Sequence, residues 1–242
     1  MITRRNLLSS GAILLGGITL SGCDRLNDSP TFSRLLNSAE GLTKSSQRFL
    51  LSDQPLAREF SERDISPKFK ANGTLHPTDP AYQKLRDRQF ADWRLRIDGL
   101  VEKPTTFSLA ELRALPSRTQ ITRHDCVEGW SAIGKWTGVP MGLLLKSAGL
   151  KPNARFVVLH CADSLNGSHG LAQYYESIDL IDAFHPQTIL AYDMNGAPLE
   201  EEHGAPLRMR VERQLGYKQA KYVMRLEIVD SFARIGEGKG GF

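Results

Sequence analysis

The chain has 242 residues, 31 of them basic and 27 acidic, a formal charge of +4, with 40% hydrophobic and 24% charged residues. That balance suits one globular domain with extensions. It excludes a polybasic nucleic-acid surface: without Arg4 and Arg5, the only charges in the first 22 residues, 29 basic groups face 27 acidic ones, and no basic cluster interleaves with aromatics.

Arg4 and Arg5 precede the apolar run "GAILLGGITL" and the tetrad Leu20-Ser21-Gly22-Cys23. A basic start, a short apolar segment and small residues before a cut site make a secretory signal. The run is about half of the roughly 20 residues that cross a bilayer as a helix. The paired arginines resemble the signal of the Tat pathway, which exports folded proteins, and the tetrad resembles a bacterial lipobox in which Cys23 is lipidated. The expected location is the periplasm, with a lipid anchor in the inner membrane because Asp24 follows the cysteine. A plain anchor that is never cut is the simpler alternative. Residues 1–23 are thus read as signal, 24–55 as tether and amphipathic helix, and 56–242 as the functional domain.

Between Phe32 and Leu51 the apolar residues fall roughly at helical spacing. "REFSERDISPKFKANGTLHPTDP" is rich in proline and turn signals and predicts an extended segment. "DWRLRIDG" alternates as a half-buried strand. Ser108 and Glu111 form a capping box for "LAELRAL", which Pro116 stops. "TQITRHDC" predicts a strand running into Cys126, "TGVPMGLLLKSAGL" a helix ending at Gly149, "ARFVVLHCAD" a buried strand and "SIDLIDAF" a short capped helix. "TILAYDMNGAPL" is a strand entering an Asn195-Gly196 hairpin turn, and "LRMRVER" and "KYVMRLEIVD" are further strands. Short helices among antiparallel-looking strands, without regular βαβ spacing, predict an α+β fold.

Of the three cysteines, Cys126 lies between ionisable residues and a glycine-tryptophan pair, in "RHDCVEGW". If Cys23 takes lipid, the bland reading of Cys126 and Cys161 is a disulfide outside the cytoplasm. The sharper reading makes Cys126 a metal-binding thiolate, its anionic form favoured by Arg123 and His124. No second cysteine or histidine stands at zinc-cluster spacing. Neither CxxC nor CxxCH occurs, so the chain carries no thioredoxin-type pair and no covalent haem site. Taken singly, Arg208 and Lys221 read as solvated strand residues, His203 as polar surface, and Trp130 and Trp136 as core.

Order and spacing add a family resemblance. "HDCVEGWSAIGKWTGVPMGLLLKSAGL" is similar to the molybdenum-binding region of the sulfite oxidase family of molybdopterin oxidoreductases. "HPQTILAYDMNGAPLEEEHGAPLRMRV" resembles the same family, most specifically in "YDMNGAPL" and "HGAPLR", and "SPKFKANGTLHP" is similar to the arm that precedes the domain in bacterial members. The resemblance runs from about Leu56 onward and is nearest to small periplasmic members, including those that reduce methionine sulfoxide. It implies a sulfite-oxidase-type fold of mixed sheets and short helices, with no room for a carboxyl-terminal immunoglobulin-like domain.

By this resemblance Cys126 is the molybdenum ligand and catalytic thiolate. His203 and Arg208 hold the pterin and its phosphate, and Gly216, Lys218, Gln219 and Lys221 belong to the phosphate loop. Phe69, Lys70 and Asn72 form the covering arm, and Cys161 and Asp163 lie near the pterin. The implied cofactor is molybdenum-molybdopterin without a nucleotide. The implied chemistry is two-electron oxygen-atom transfer on a small oxo-substrate, with a membrane haem protein or a soluble cytochrome as electron partner. One departure stands out: sulfite-oxidising members carry an arginine shortly after the metal-binding cysteine, and here "CVEGWS" offers Glu128, Trp130 and Ser131, leaving Lys70 as the cation in reach. The alternative is a cofactor-free lipoprotein that binds a partner on the same scaffold.

Overall fold

The backbone of Arg94–Gly99 (β1) alternates as its residues dictate, burying Leu95 and Ile97 and leaving Arg94 and Arg96 in water. This strand pairs antiparallel with Thr105–Ser108 (β2) and parallel with Val223–Val229 (β10). Phe156–Ser164 (β5) and Gln173–Asp179 (β6) extend the sheet beyond β10, in the order β2-β1-β10-β5-β6. A second sheet contains Arg118–Asp125 (β3), Ser131–Pro140 (β4), Ile189–Met194 (β7) and Ala197–Pro198 (β8), with Arg208–Arg210 (β9) paired to β7. This computed structural model describes residues 55–164 and 173–236, and residue 46 upstream of them. Apart from Ser46, the predicted signal, tether and amphipathic helix lie outside the described residues.

Four short helices join the strands. Pro80–Asp87 (α1) starts where the Asp79 carboxylate accepts from Tyr82 N. Leu109–Ala114 (α2) starts on the Ser108–Glu111 capping box. Met141–Ala148 (α3) ends at Gly149, and Leu180–Ala183 (α4) is capped by Asp179. None of the helices among the described residues is long and apolar enough to cross a membrane. Leu95, Leu145, Leu159, Leu190, Met209 and Leu226 share one buried cluster, so both sheets and α3 meet in a single core. Fully burying such a side chain stabilises the fold by about 1.5–3 kcal/mol.

The mixed architecture agrees with the expected α+β class, and the Asn195-Gly196 turn has both residues at positive φ, 51° and 85°, as a two-residue hairpin needs. Strands β2, β4 and β6 and helix α1 go beyond the expectation. In β4 the inward positions are Ala132, Gly134, Trp136 and Gly138, so small residues hide the apolar alternation that marks a strand. The segment before Pro140 is therefore strand, and the helix begins only at Met141.

Gly138 shows why the position must be small. A Cβ there would lie 2.2 Å from Leu190 O and 2.5 Å from Ala191 Cα, inside the β4–β7 pairing. Gly138→Ala is expected to cost about 1–3 kcal/mol by overpacking. Urea unfolding checks this, and a variant as stable as the parent would contradict the close strand approach.

Candidate functional site

At the end of β3 the chain turns sharply. Cys126 N donates to Trp130 O at 2.9 Å and Gly129 N to Cys126 O at 3.0 Å, which closes a tight loop around the thiol. Cys126 and Cys161 are free cysteines, so the disulfide reading of this pair is corrected. The Cys126 side chain is 8% exposed and its Sγ accepts from Asn72 Nδ2 at 3.5 Å. Cys161 is buried in the main core, where desolvation pushes its thiol well above the ordinary range and keeps it protonated.

Asn72 belongs to a strap, 66–76, laid across the body. Phe69 anchors it, its ring 5.3 Å from Trp136, 5.5 Å from His124, 5.8 Å from His203 and 6.1 Å from Trp130. Lys221 ties down the other end: its Nζ donates to Asn72 O at 2.8 Å, to Thr74 O at 2.5 Å and to Glu202 O at 2.9 Å. The Tyr222 hydroxyl reaches Thr74 O and Leu75 O at 2.8 and 3.0 Å.

Beneath the strap lies a cavity of about 210 Å³, lined among others by Asn72, Asp163, Tyr174, Arg208, Gln219 and Lys221. Its walls are polar and under-satisfied: Arg208 Nε, Asp163 Oδ1 and Gln219 Oε1 are buried without a hydrogen-bond partner. Burial pulls Lys221 down to about 7 and Arg208 to about 9, each lowered further by a neighbouring arginine, and lifts Asp163 to about 6. Donors, acceptors and cations held ready at this cost in desolvation suit a polar heterocycle bearing an anionic group. A molybdenum-pterin cofactor has that chemistry, and Cys126 offers the soft sulfur its metal requires. The cavity is smaller than the roughly 300 Å³ at which small-molecule sites begin. Asn72, Gly73 and Thr74, all on the strap, form the wall that can give.

Thiol and cavity are joined by a buried polar lattice. Inward positions of β3 carry Gln120, Thr122 and His124, all about 1% exposed. Opposite them Arg210 holds Glu212 in a two-pronged ion pair, Nε–Oε1 2.9 Å and Nη2–Oε2 2.7 Å, with both side chains fully buried. Arg210 Nη1 also lies 3.2 Å from His124 Nδ1. A guanidinium can only donate, so Nδ1 is the acceptor and the ring proton sits on Nε2. Burial and the two arginines lower His124 to about 3, so the ring stays neutral. Arg208 and Arg210 lie over the Trp136 ring at 4.9 and 4.4 Å. Gly216 lets the next loop approach: a Cβ there would fall 2.5 Å from His124 Nε2 and 3.1 Å from Asp125 O.

The structure brings Asn72, Asp163, Arg208, Gly216, Gln219 and Lys221 together on one cavity. Phe69 and His203 line the adjoining cleft, which separates them from the cavity proper. Lys218 turns away, its ammonium donating to Glu176 Oε1 at 2.9 Å and to Ser177 O at 3.2 Å. Lys70 lies at the rim with Glu128 rather than in the cavity. Arg208, solvated when read singly, is buried here and Lys221 is half-buried, and Trp136 is core as read. Thr74, Tyr174 and Tyr217 line the cavity without having been singled out. Thr74 had a signal in its place beside Asn72 in the arm, and Tyr217 in its place within the 216–221 loop; Tyr174 had none.

Removing one partner of a buried ion pair leaves an uncompensated charge and costs about 3–5 kcal/mol. Arg210→Met is expected to lose that much in urea unfolding, with much of it regained in Arg210→Met/Glu212→Leu. A single variant within about 1 kcal/mol of the parent would show that the lattice does not hold β3 to β9.

The chain matches the oxidoreductase molybdopterin-binding domain family over residues 82–234. It is 36% identical over 91% of its length, and over 79% of the relative, to a putative protein-methionine-sulfoxide reductase subunit of Azospira oryzae. It is 29% identical over 94% of its length, and 70% of the relative, to a protein-methionine-sulfoxide reductase catalytic subunit of Xanthomonas campestris pv. campestris. Among solved structures, the sulfane dehydrogenase SoxCD of Paracoccus pantotrophus is similar at 29% identity with a TM-score of 0.52, over 58% of this chain and 39% of that one. The chain thus spans well under half of that sulfane dehydrogenase chain. With a thiol turn, a strap and a polar cradle held in one frame, this protein belongs to the sulfite oxidase family of molybdopterin-binding oxidoreductases.

Proposed function

We propose that this protein is an exported molybdenum-pterin enzyme that removes an oxygen atom from a sulfoxide, with the Cys126 thiolate as protein ligand to the metal. The observation that carries the reading is a free thiol, 3.5 Å from Asn72 Nδ2, next to a cavity whose buried Arg208, Asp163 and Gln219 atoms have no partner. A lipoprotein that merely binds a partner has no use for these desolvated, unpaired groups. Relatives named as protein-methionine-sulfoxide reductases make methionine sulfoxide the substrate of choice.

Reducing a sulfoxide to a sulfide consumes two electrons and two protons and releases one water, a two-electron couple that the bound cofactor supplies. The chain's own groups do the rest. Arg208 and Lys221 would take the anionic tail, whose charge would raise Lys221 back toward the ordinary lysine range. Asp163 and Gln219 would take the polar ring edge, and His124, neutral and fixed by Arg210, adds no charge beside the thiol, so it does not favour the thiolate as the sequence suggested. The pterin is proposed in its simple form without a nucleotide, on family precedent and on the small size of the cavity.

With no CxxCH in the sequence, electrons are proposed to arrive from a separate haem protein in the membrane or a periplasmic cytochrome. The twin-arginine start and the Leu20–Cys23 tetrad support a Tat-exported, lipid-anchored periplasmic protein.

Cys126→Ser and Cys126→Ala are expected to fold as the parent does and to lose more turnover than the 10–100-fold typical of an outer-shell change. Turnover is measured with a reduced dye and methionine sulfoxide, alongside molybdenum content by mass spectrometry. Parental turnover per molybdenum in either variant overturns the assignment. Cys23→Ala is expected to move the protein from the membrane fraction to the soluble periplasmic extract, and unchanged fractionation would remove the anchor.

A further inference from the structure

The turn that presents Cys126 also presents Glu128, and the strap that covers it presents Lys70. Lys70 Nζ donates to Glu128 Oε2 at 3.2 Å, and Trp130 Nε1 donates to the same oxygen at 3.0 Å. The lysine lies 5.6 Å from the centre of the Trp130 ring, so the three side chains form one cluster. The other cation on this rim is compensated too: Arg123 Nε sits 3.0 Å from Asp125 Oδ1, which also accepts from Ser131 Oγ at 2.6 Å. Between them lies Val127, 66% exposed, an apolar patch beside the thiol.

We propose that Glu128 is a specificity-determining residue, which cancels the charge of Lys70 so that the mouth beside Cys126 admits a neutral, partly apolar oxide and turns away oxyanions. The inference rests on the oxygen-atom-transfer reading and adds to it the charge class of the substrate. Its physical basis is the order in which charges meet an incoming molecule. Arg208, buried, and Lys221, half-buried, lie beneath the strap and are committed to the cradle. At the rim Lys70 and Arg123 each face a carboxylate, so a sulfite-like dianion finds little net attraction there to offset its desolvation. A sulfoxide carries a dipole and no net charge, loses little on entering, and can rest its alkyl part on Val127 and Trp130.

The test does not require the cofactor. Trp93 and Trp136 are fully buried, so of the three tryptophans Trp130 is the one open to a dissolved quencher. Iodide serves as an anionic probe of the rim and acrylamide as a neutral one, both at low ionic strength, where a surface charge is felt over about 10 Å or more. Glu128→Gln is expected to raise the iodide quenching constant about threefold and leave that of acrylamide unchanged. Lys70→Glu is expected to lower the iodide constant. Equal iodide constants in parent and Glu128→Gln, or iodide and acrylamide rising together, would overturn the proposal, the second outcome meaning a loosened turn.

Sulfate inhibition of methionine-sulfoxide reduction then reads the same charge in the molybdenum-loaded protein. Its inhibition constant is expected to tighten about threefold in Glu128→Gln, and an unchanged constant would count against Glu128. If the loaded parent reduces no oxide at all, the oxygen-transfer reading fails, while the iodide result still decides whether Glu128 neutralises the rim.

Discussion

The ion pair between Arg210 and Glu212 is the interaction on which the site depends. Both side chains are fully buried, and removing either leaves the other's charge uncompensated. Their geometry sets three things at once. Glu212 also receives Gln120 Nε2 at 2.9 Å, Arg210 reaches Thr122 and His124, and Arg208 comes two residues earlier on the same strand. The strand that ends in the thiol is thereby fixed to the strand that begins the cradle. A hydrophobic contact would supply comparable stability but no angular register. Fork-shaped hydrogen bonds supply both.

The same lattice explains why the interior near the thiol is polar although a polar interior costs stability. Two guanidiniums lie over the Trp136 ring, and a neutral imidazole accepts from one of them. Arg208 keeps an unpartnered Nε, and Lys221 uses all three of its protons on loop carbonyls. These groups form a cradle that is complete for the backbone and incomplete for itself. The fold tolerates the deficit because the main core, shared by both sheets and α3, is apolar throughout.

Much of the frame was legible in the sequence because local signals and long-range packing agree there. The capping box at Ser108, the Asn195-Gly196 turn and the strands ending at Gly99 and Val229 each appear where their residues place them. Legibility failed where small or polar residues take the inward positions. Strand β3 is present as expected, but it faces Gln120, Thr122 and His124 inward, and only the tertiary partner Arg210 shows why that polar face is the buried one. Strand β4 alternates alanine and glycine with a single tryptophan, and no propensity scale marks that as a strand. Among site residues, Phe69 and His203 line a separate cleft, while Asn72, Asp163, Arg208, Gly216, Gln219 and Lys221 gathered on one cavity. Lys218 did not, because the buried Glu176 captures it, and nothing local to "GYKQAK" reveals that competitor.

Charge in this protein is sorted by depth. Around Cys126, Lys70 and Arg123 are each answered by a carboxylate within hydrogen-bonding distance. A few residues further along the strap, beneath Asn72 and Thr74, Arg208 and Lys221 share one cavity with a single carboxylate, Asp163, among the described residues. A single strap spans both regimes because it contributes side chains to one and backbone carbonyls to the other: Lys70 points to Glu128, while Asn72 O and Thr74 O receive Lys221. A cofactor's anionic end and a substrate's neutral end can therefore be discriminated by the same stretch of chain, four residue steps from Lys70 to Thr74 that span at most about 13 Å at roughly 3.3 Å each. Backbone carbonyls serve the deep end because they orient a lysine without neutralising it, which leaves its charge for an incoming anion. A carboxylate serves the rim because there the charge must vanish.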